Sequence, residues 1–295
     1  MGFLATYIMR GRWQAATAVS VLAFLSLFMP PISIVSSAAL ALVTLRRGAY
    51  EGLTVFGISL TGMTAIGAML GSVSFTALYG LVLWMPIWIV AILLRAGRKL
   101  ALAIESAILL GGLSIIGFYL YNPQAAKMWL DILTQMAPAN VSLDTMQPNI
   151  ESVAHYMTGI VVAGTVFGWI FALFLARWWQ AELYNPGGFR AEYLDLATSP
   201  RLALGSISLI ALASLSSGMM AEVAWNLSIL TFVLYTFVGT AVAHNILNAL
   251  KQSRYVIFGF YITLFLIPHL LIPVALVGVS DAWWKLREKF AANKK

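Results

Sequence analysis

Val153-Ala-His-Tyr-Met-Thr-Gly-Ile-Val-Val-Ala-Gly-Thr-Val-Phe-Gly-Trp-Ile-Phe-Ala-Leu-Phe-Leu-Ala176 carries no acidic residue, lysine or arginine, and it stops at Arg177-Trp178-Trp179. A run of this kind meets the ~20 residues needed to cross a hydrocarbon layer of ~30 Å. It shows no alternation of period two, so a helix rather than a barrel strand must satisfy its backbone groups in lipid. Similar runs occupy residues 15–45, 53–70, 73–94, 101–121, 202–217, 223–250 and 255–279, with charges confined to the gaps apart from Glu105. Composition agrees. The chain is 61% hydrophobic and 10% charged, against roughly 45–50% and about 25% in a soluble domain. The expected fold class is all-α, a polytopic transmembrane helical bundle of about 8–10 membrane segments.

Proline and charge organise these runs. Residues 15–45 as one helix would be about 46 Å long, but Pro30 and Pro31 sit at the centre and remove backbone donors, so a broken hairpin is expected. Arg10 and Arg12 precede it, and Arg46 and Arg47 follow it. A tight corner at Gly71-Ser72 joins the next two runs, which close at Arg95, Arg98 and Lys99. Near the end, splitting residues 255–279 at Pro268 and Pro273 puts all but Lys127 of the 18 lysines and arginines on one side, as the positive-inside rule asks. That is the ground for Pro-broken hairpins at both ends of the chain and for both termini in the cytoplasm. The expected organisation is an N-terminal helical half (1–121), an external loop (122–151) and a C-terminal helical half (152–295). The last contains a cytoplasmic loop (177–201) and a basic cytoplasmic tail (285–295). The basic N-terminal residues lead into an apolar run with no small-residue cleavage pattern, which reads as an uncleaved first helix of a multi-pass protein of the bacterial inner membrane.

Several function classes fall away. The net charge of +7 is scattered through short loops and forms no stripe beside base-stacking aromatics, so nucleic acid is not an expected partner. With no cysteine, disulfides, thiolate metal sites and cysteine nucleophiles are excluded. No metal-binding helix motif, phosphate loop or serine elbow appears, so neither a metal nor a cofactor is expected. Three separated histidines do not make a nucleophile, base and orienter, so an enzyme is not expected.

The most distinctive segment is Arg177-Trp178-Trp179-Gln-Ala-Glu-Leu-Tyr-Asn185-Pro186-Gly187-Gly188-Phe-Arg190. Trp, Tyr and Arg suit the headgroup layer, and Asn-Pro-Gly-Gly is turn chemistry, so an interfacial anchor with a tight reversal is one reading. In the other, Arg177 and Arg190 with the glycine amides hold an anionic headgroup or a partner's carboxylate. Within the spans, His244, Asn245 and Asn248 cluster near the end of one helix, with His244 and Asn248 one turn apart on a single face. They serve either as interhelical hydrogen-bonding groups or as a binding site. Glu105 is an ionisable residue about one turn inside another helix, either a site or a partner of Arg98 or Lys99.

The Arg177–Arg190 segment, Gly239-Thr-Ala-Val-Ala-His244, and Gly278-Val-Ser-Asp281 before Trp283 and Arg287 resemble the YybS-like family of bacterial polytopic membrane proteins across nearly the whole chain. The resemblance implies N-terminal helices similar to the substrate-binding membrane components of energy-coupling-factor transporters. Those components dock on a partner through an Ala-x-x-x-Ala face; here Ala15 is followed four positions later by Val19, a departure from that pattern. Two functions are therefore expected from different classes. One is binding or transport of a small or amphiphilic molecule between the helices. The other is a membrane scaffold that docks a partner through the cytoplasmic loop and tail. Expected partners are membrane lipids, and a membrane or cytoplasmic protein or a second copy of the chain.

Overall fold

The computed structural model describes residues 2–69, 71, 73–136 and 143–292. Ser72 of the expected corner, residues 137–142 of the expected external loop, and Lys294 and Lys295 of the tail lie outside them. Among the described residues every regular element is helical. In chain order these are α1 (Gly2–Met9), α2 (Arg12–Leu25), α3 (Ile32–Arg47), α4 (Ala49–Met69), α5 (Ser74–Ala77), a π-helical turn (Leu78–Trp84) and α6 (Met85–Gly97). There follow α7 (Leu100–Tyr121), α8 (Ala125–Met136), α9 (Leu143–Ala154), α10 (Met157–Tyr184), α11 (Gly188–Leu194) and α12 (Pro200–Leu215). The chain continues through α13 (Gly218–Ala249), α14 (Arg254–Leu266), a 3-10 turn (Pro268–Leu270), α15 (Leu271–Trp284) and α16 (Leu286–Ala292). Among the described residues five stretches are long and apolar enough to cross a membrane: α4, Ser74–Gly97, α7, α10 and α13. α14 and Pro268–Trp284 meet that standard only as a pair, bent by 110° at their junction. The chain is an all-α polytopic membrane protein.

The proline breaks fall where expected, with one correction. α2 ends at Leu25 and α3 begins at Ile32, leaving Pro30 and Pro31 in the connection. In the last apolar run the break is at Pro268 alone. Pro273 lies in the first turn of α15, where a missing N–H has no helical acceptor to disappoint. Two loops also differ from expectation. The segment 122–151 holds two helices, α8 and the greater part of α9. Met128, Trp129, Ile132 and Leu133 of α8 recur at helical spacing opposite Lys127 and Asp131, an amphipathic pattern hidden among loop-forming residues. The loop expected at 177–201 starts at Asn185 rather than Arg177, because α10 runs without interruption for 28 residues through both tryptophans.

Two compact units divide the chain, and they do not follow the halves expected from sequence. One is Met1–Ala107 with Thr165–Asp195; the other is Ile108–Gly164 with Leu196–Lys295. In the first, α3 is central: Ser36 through Leu45 is buried without interruption, and Ala and Ser make up half of that stretch. Lipid tails give apolar helices no reason to prefer one another, so close approach of small residues and interhelical hydrogen bonds hold such a unit together. Ser36 Oγ donates to the Val19 carbonyl (2.8 Å), Ser59 Oγ to the Ala16 carbonyl (3.3 Å), and Trp84 Nε1 to Ser36 Oγ (3.2 Å). Pro86 brings no N–H to the turn before it, and the Val82 carbonyl there accepts instead from Trp169 Nε1 at 2.9 Å.

In the second unit α13 is the core helix, buried continuously from Val233 to Val242. Its closest neighbour is α15. A Cβ on Gly239 would fall on the Val274 carbonyl, and one on Gly278 on the Tyr235 carbonyl, so the two backbones touch through reciprocal glycines. Asn226 is fully buried and well satisfied. Its Oδ1 accepts from the Gly159 amide, and the two hydrogens of its Nδ2 are shared among three acceptors, the carbonyls of Glu222 (2.7 Å) and His155 (2.8 Å) and Tyr119 Oη (3.1 Å).

Candidate functional site

The C-terminal end of α3 carries Arg46 and Arg47, and that of α6 carries Arg95 followed by Arg98. Cations are favoured at helix C-termini, where unsatisfied carbonyls concentrate negative partial charge. Arg95 acts on this directly: its Nη1 donates to the carbonyls of Leu45 (2.6 Å) and Arg46 (2.9 Å), tying the end of α6 to the end of α3. Arg98 closes α6 in the left-handed conformation, φ 51°. Arg177, two turns before the end of α10, grips α11 by donating through Nε (2.8 Å) and Nη2 to the two carboxylate oxygens of Glu192. Its Nη1 donates to Gln180 Oε1 at 2.6 Å. The Arg46 guanidinium lies over the Tyr184 ring, 3.9 Å from its centroid.

These groups surround one cleft of about 420 Å³, lined by Arg46, Arg95, Arg98, Arg177, Gln180 and Glu192 above a floor of Leu45 and Leu94. Small-molecule sites commonly occupy ~300–1,000 Å³. Four guanidinium groups face one carboxylate. The C-terminal turns of α3 and α6 add about half a negative charge each, which leaves an excess of roughly two positive charges. Arg95 and Arg177 are committed to carbonyls and to Glu192. Arg46 and Arg98 make no ion pair among the described residues and supply the excess.

Of the residues singled out in sequence, Arg177 alone lines this cleft. Trp179 is buried in the packing of α10, and Trp178 is 37% exposed. Asn185, Pro186 and Gly187 form the exposed reversal between α10 and α11, where the Gly188 amide donates to the Asn185 carbonyl at 3.0 Å. The reversal brings Glu192, rather than Arg190, onto Arg177; Arg190 is exposed and outside the lining. Gly187 sits at φ 85°, a region that costs a side-chain-bearing residue ~1–3 kcal/mol. Gly187→Val is therefore expected to loosen the α10–α11 reversal and make the 184–190 segment a preferred cleavage site in limited proteolysis, where the wild-type chain resists. Glu105 is half-buried on α7 and forms no ion pair among the described residues, with neither Arg98 nor Lys99.

His244, Asn245 and Asn248 belong to the other unit, in the last turns of α13, where His244 Nδ1 and Tyr261 Oη of α14 are 2.9 Å apart. Sequence reading missed Arg46, Arg95, Arg98, Gln180 and Glu192 as site residues. The signal present was the run of basic residues closing each helix, read only for orientation. Among the described residues no group of three or more His, Cys, Asp or Glu side chains is placed to hold a metal ion. No family model, curated protein or solved structure matches the chain.

Proposed function

We propose that this membrane protein binds a small anionic amphiphile, its phosphate or carboxylate head in the arginine cleft and its tail along the lipid-facing helices, for transport or presentation at the bacterial inner membrane. The observation that carries the reading is the unbalanced pair Arg46 and Arg98 in a cleft that already contains its one carboxylate. Planar guanidinium groups suit the oxygens of such a head, and hydrogen bonds to charged groups are the strong ones. The positive-inside rule assigns the arginine-rich ends of α3 and α6 to the cytoplasmic side, so the head is read from there. The motifs that resemble those of YybS-like proteins are a ground in sequence for a substrate-binding membrane component, and the distribution of lysine and arginine is the ground for both termini in the cytoplasm.

Native mass spectrometry of the full chain titrated with short-chain phosphatidic acid and phosphatidylcholine tests it. The wild type is expected to retain the anionic lipid selectively. Arg46→Gln with Arg98→Gln removes two charge-assisted contacts of about 1.5–3 kcal/mol each, so affinity for phosphatidic acid should fall on the order of a hundred-fold or more. Equal retention of both lipids, or unchanged affinity in the double variant, rules the reading out.

A further inference from the structure

The one carboxylate among the lining residues of the arginine cleft, Glu192, is delivered by α11, a surface helix of seven residues. Every residue of that helix is at least partly exposed. Phe189 and Tyr193, four positions apart, share the face that rests on Phe174 of α10, with ring centroids 5.5 and 5.6 Å from it. Glu192 lies at the edge of the same face and accepts from Arg177 Nε at 2.8 Å and from Arg177 Nη2. α11 is thus seated by aromatic contact on one side and latched by a carboxylate on the other. The latch is 30% exposed at Glu192 and 18% at Arg177. Arg177 is also steadied from within its own helix, because Nη1 donates to Gln180 Oε1 at 2.6 Å. Its place in the cleft therefore does not depend on Glu192.

We propose that Glu192 is a built-in competitor for the arginine cleft: an anionic head that enters on Arg46 and Arg98 displaces it from Arg177 and so releases α11. This rests on the reading of the cleft as an anion-binding site. Carboxylate and phosphate oxygens both match the fork of a guanidinium, so one can take the other's place on Arg177. Both at once would set two negative charges side by side in a cleft of about 420 Å³, and like charges disfavour joint occupancy. A phosphomonoester head carries about 1.5–2 negative charges at neutral pH, more than the carboxylate it replaces, and it meets Arg46 and Arg98 as well. Occupancy of the cleft is thereby converted into the position of α11.

Native mass spectrometry of the full chain with short-chain phosphatidic acid and phosphatidylcholine reads the competition. Glu192→Gln keeps the size and one acceptor for Arg177 without the charge, and should bind phosphatidic acid about ten-fold more tightly than wild type, the scale of one charge-assisted contact at a partly exposed site. Asp195→Asn removes an exposed charge of the same sign just after α11, outside the lining, and should leave that affinity within about two-fold. In hydrogen–deuterium exchange, phosphatidic acid should lower the protection of residues 188–195 of the wild type by about three-fold, the scale of a lost exposed ion pair, and phosphatidylcholine should not. Selective binding by the wild type with no gain in Glu192→Gln, an equal gain in Asp195→Asn, or unchanged protection of α11 overturns the competition and leaves the anion site standing. If neither the wild type nor Glu192→Gln distinguishes the two lipids, the anion site falls and the competition with it.

Discussion

Gly239→Leu is expected to separate α15 from α13 and to cost about 3 kcal/mol or more, the upper range for overpacking a tight interior. The atom a new side chain would meet is the Val274 carbonyl, part of another helix's backbone, with no rotamer to swing aside. Relief requires moving α15 bodily, and the reciprocal contact of Gly278 with the Tyr235 carbonyl is lost with it. For a chain of this size the loss corresponds to roughly 10 °C in melting temperature, readable by scanning fluorimetry in detergent. Gly259→Leu in α14, where a Cβ meets nothing within 4 Å, is the matched control and should leave the melting temperature within a degree or two. Equal melting of the two variants would remove the glycine crossing as the seam of this unit.

Arg287→Met is expected to be comparably damaging for an electrostatic reason. Asp281 is buried, its side chain 5% exposed, and Arg287 Nη2 donates to its Oδ2 at 2.6 Å. Its other oxygen is buried with no hydrogen-bond partner among the described residues. Removing the guanidinium strands a carboxylate away from water, and breaking a buried pair from one side costs about 3–5 kcal/mol. Adding Asp281→Asn removes the stranded charge, so the double variant should recover at least half of the lost stability in the same melting assay. If it melts no higher than Arg287→Met alone, the pair is not the source of the effect.

The helices were legible because burial in lipid demands continuous apolar runs, and each such run is helical. Pro30, Pro31 and Pro268 also read correctly, since a missing N–H acts locally. What could not be read was pairing at a distance. Gly239, Gly278, Asp281 and Arg287 stood out as motif residues, but nothing in the chain order says that the first two touch through their backbones or that the last two are buried together. Likewise Arg46, Arg95 and Arg98 lie at separate helix ends and were read only for orientation. The packing of α3 against α6, with α10 alongside, turns them into the lining of one cleft. α8 went unseen because its apolar positions alternate with polar ones at helical spacing, between residues typical of loops.

The hydrogen bond from Trp169 to the Val82 carbonyl bears on how the protein is made. Synthesis proceeds from the N-terminus, so the segment around Pro86 enters the bilayer well before α10 exists. Until Trp169 arrives, the carbonyl at Val82 faces its surroundings without that donor, and an unsatisfied backbone group in hydrocarbon costs several kcal/mol. The first unit is also missing Thr165–Asp195 until then. The N-terminal helices alone therefore lack both a donor for Val82 and part of their own unit, and the first unit is complete only once the later chain has been made.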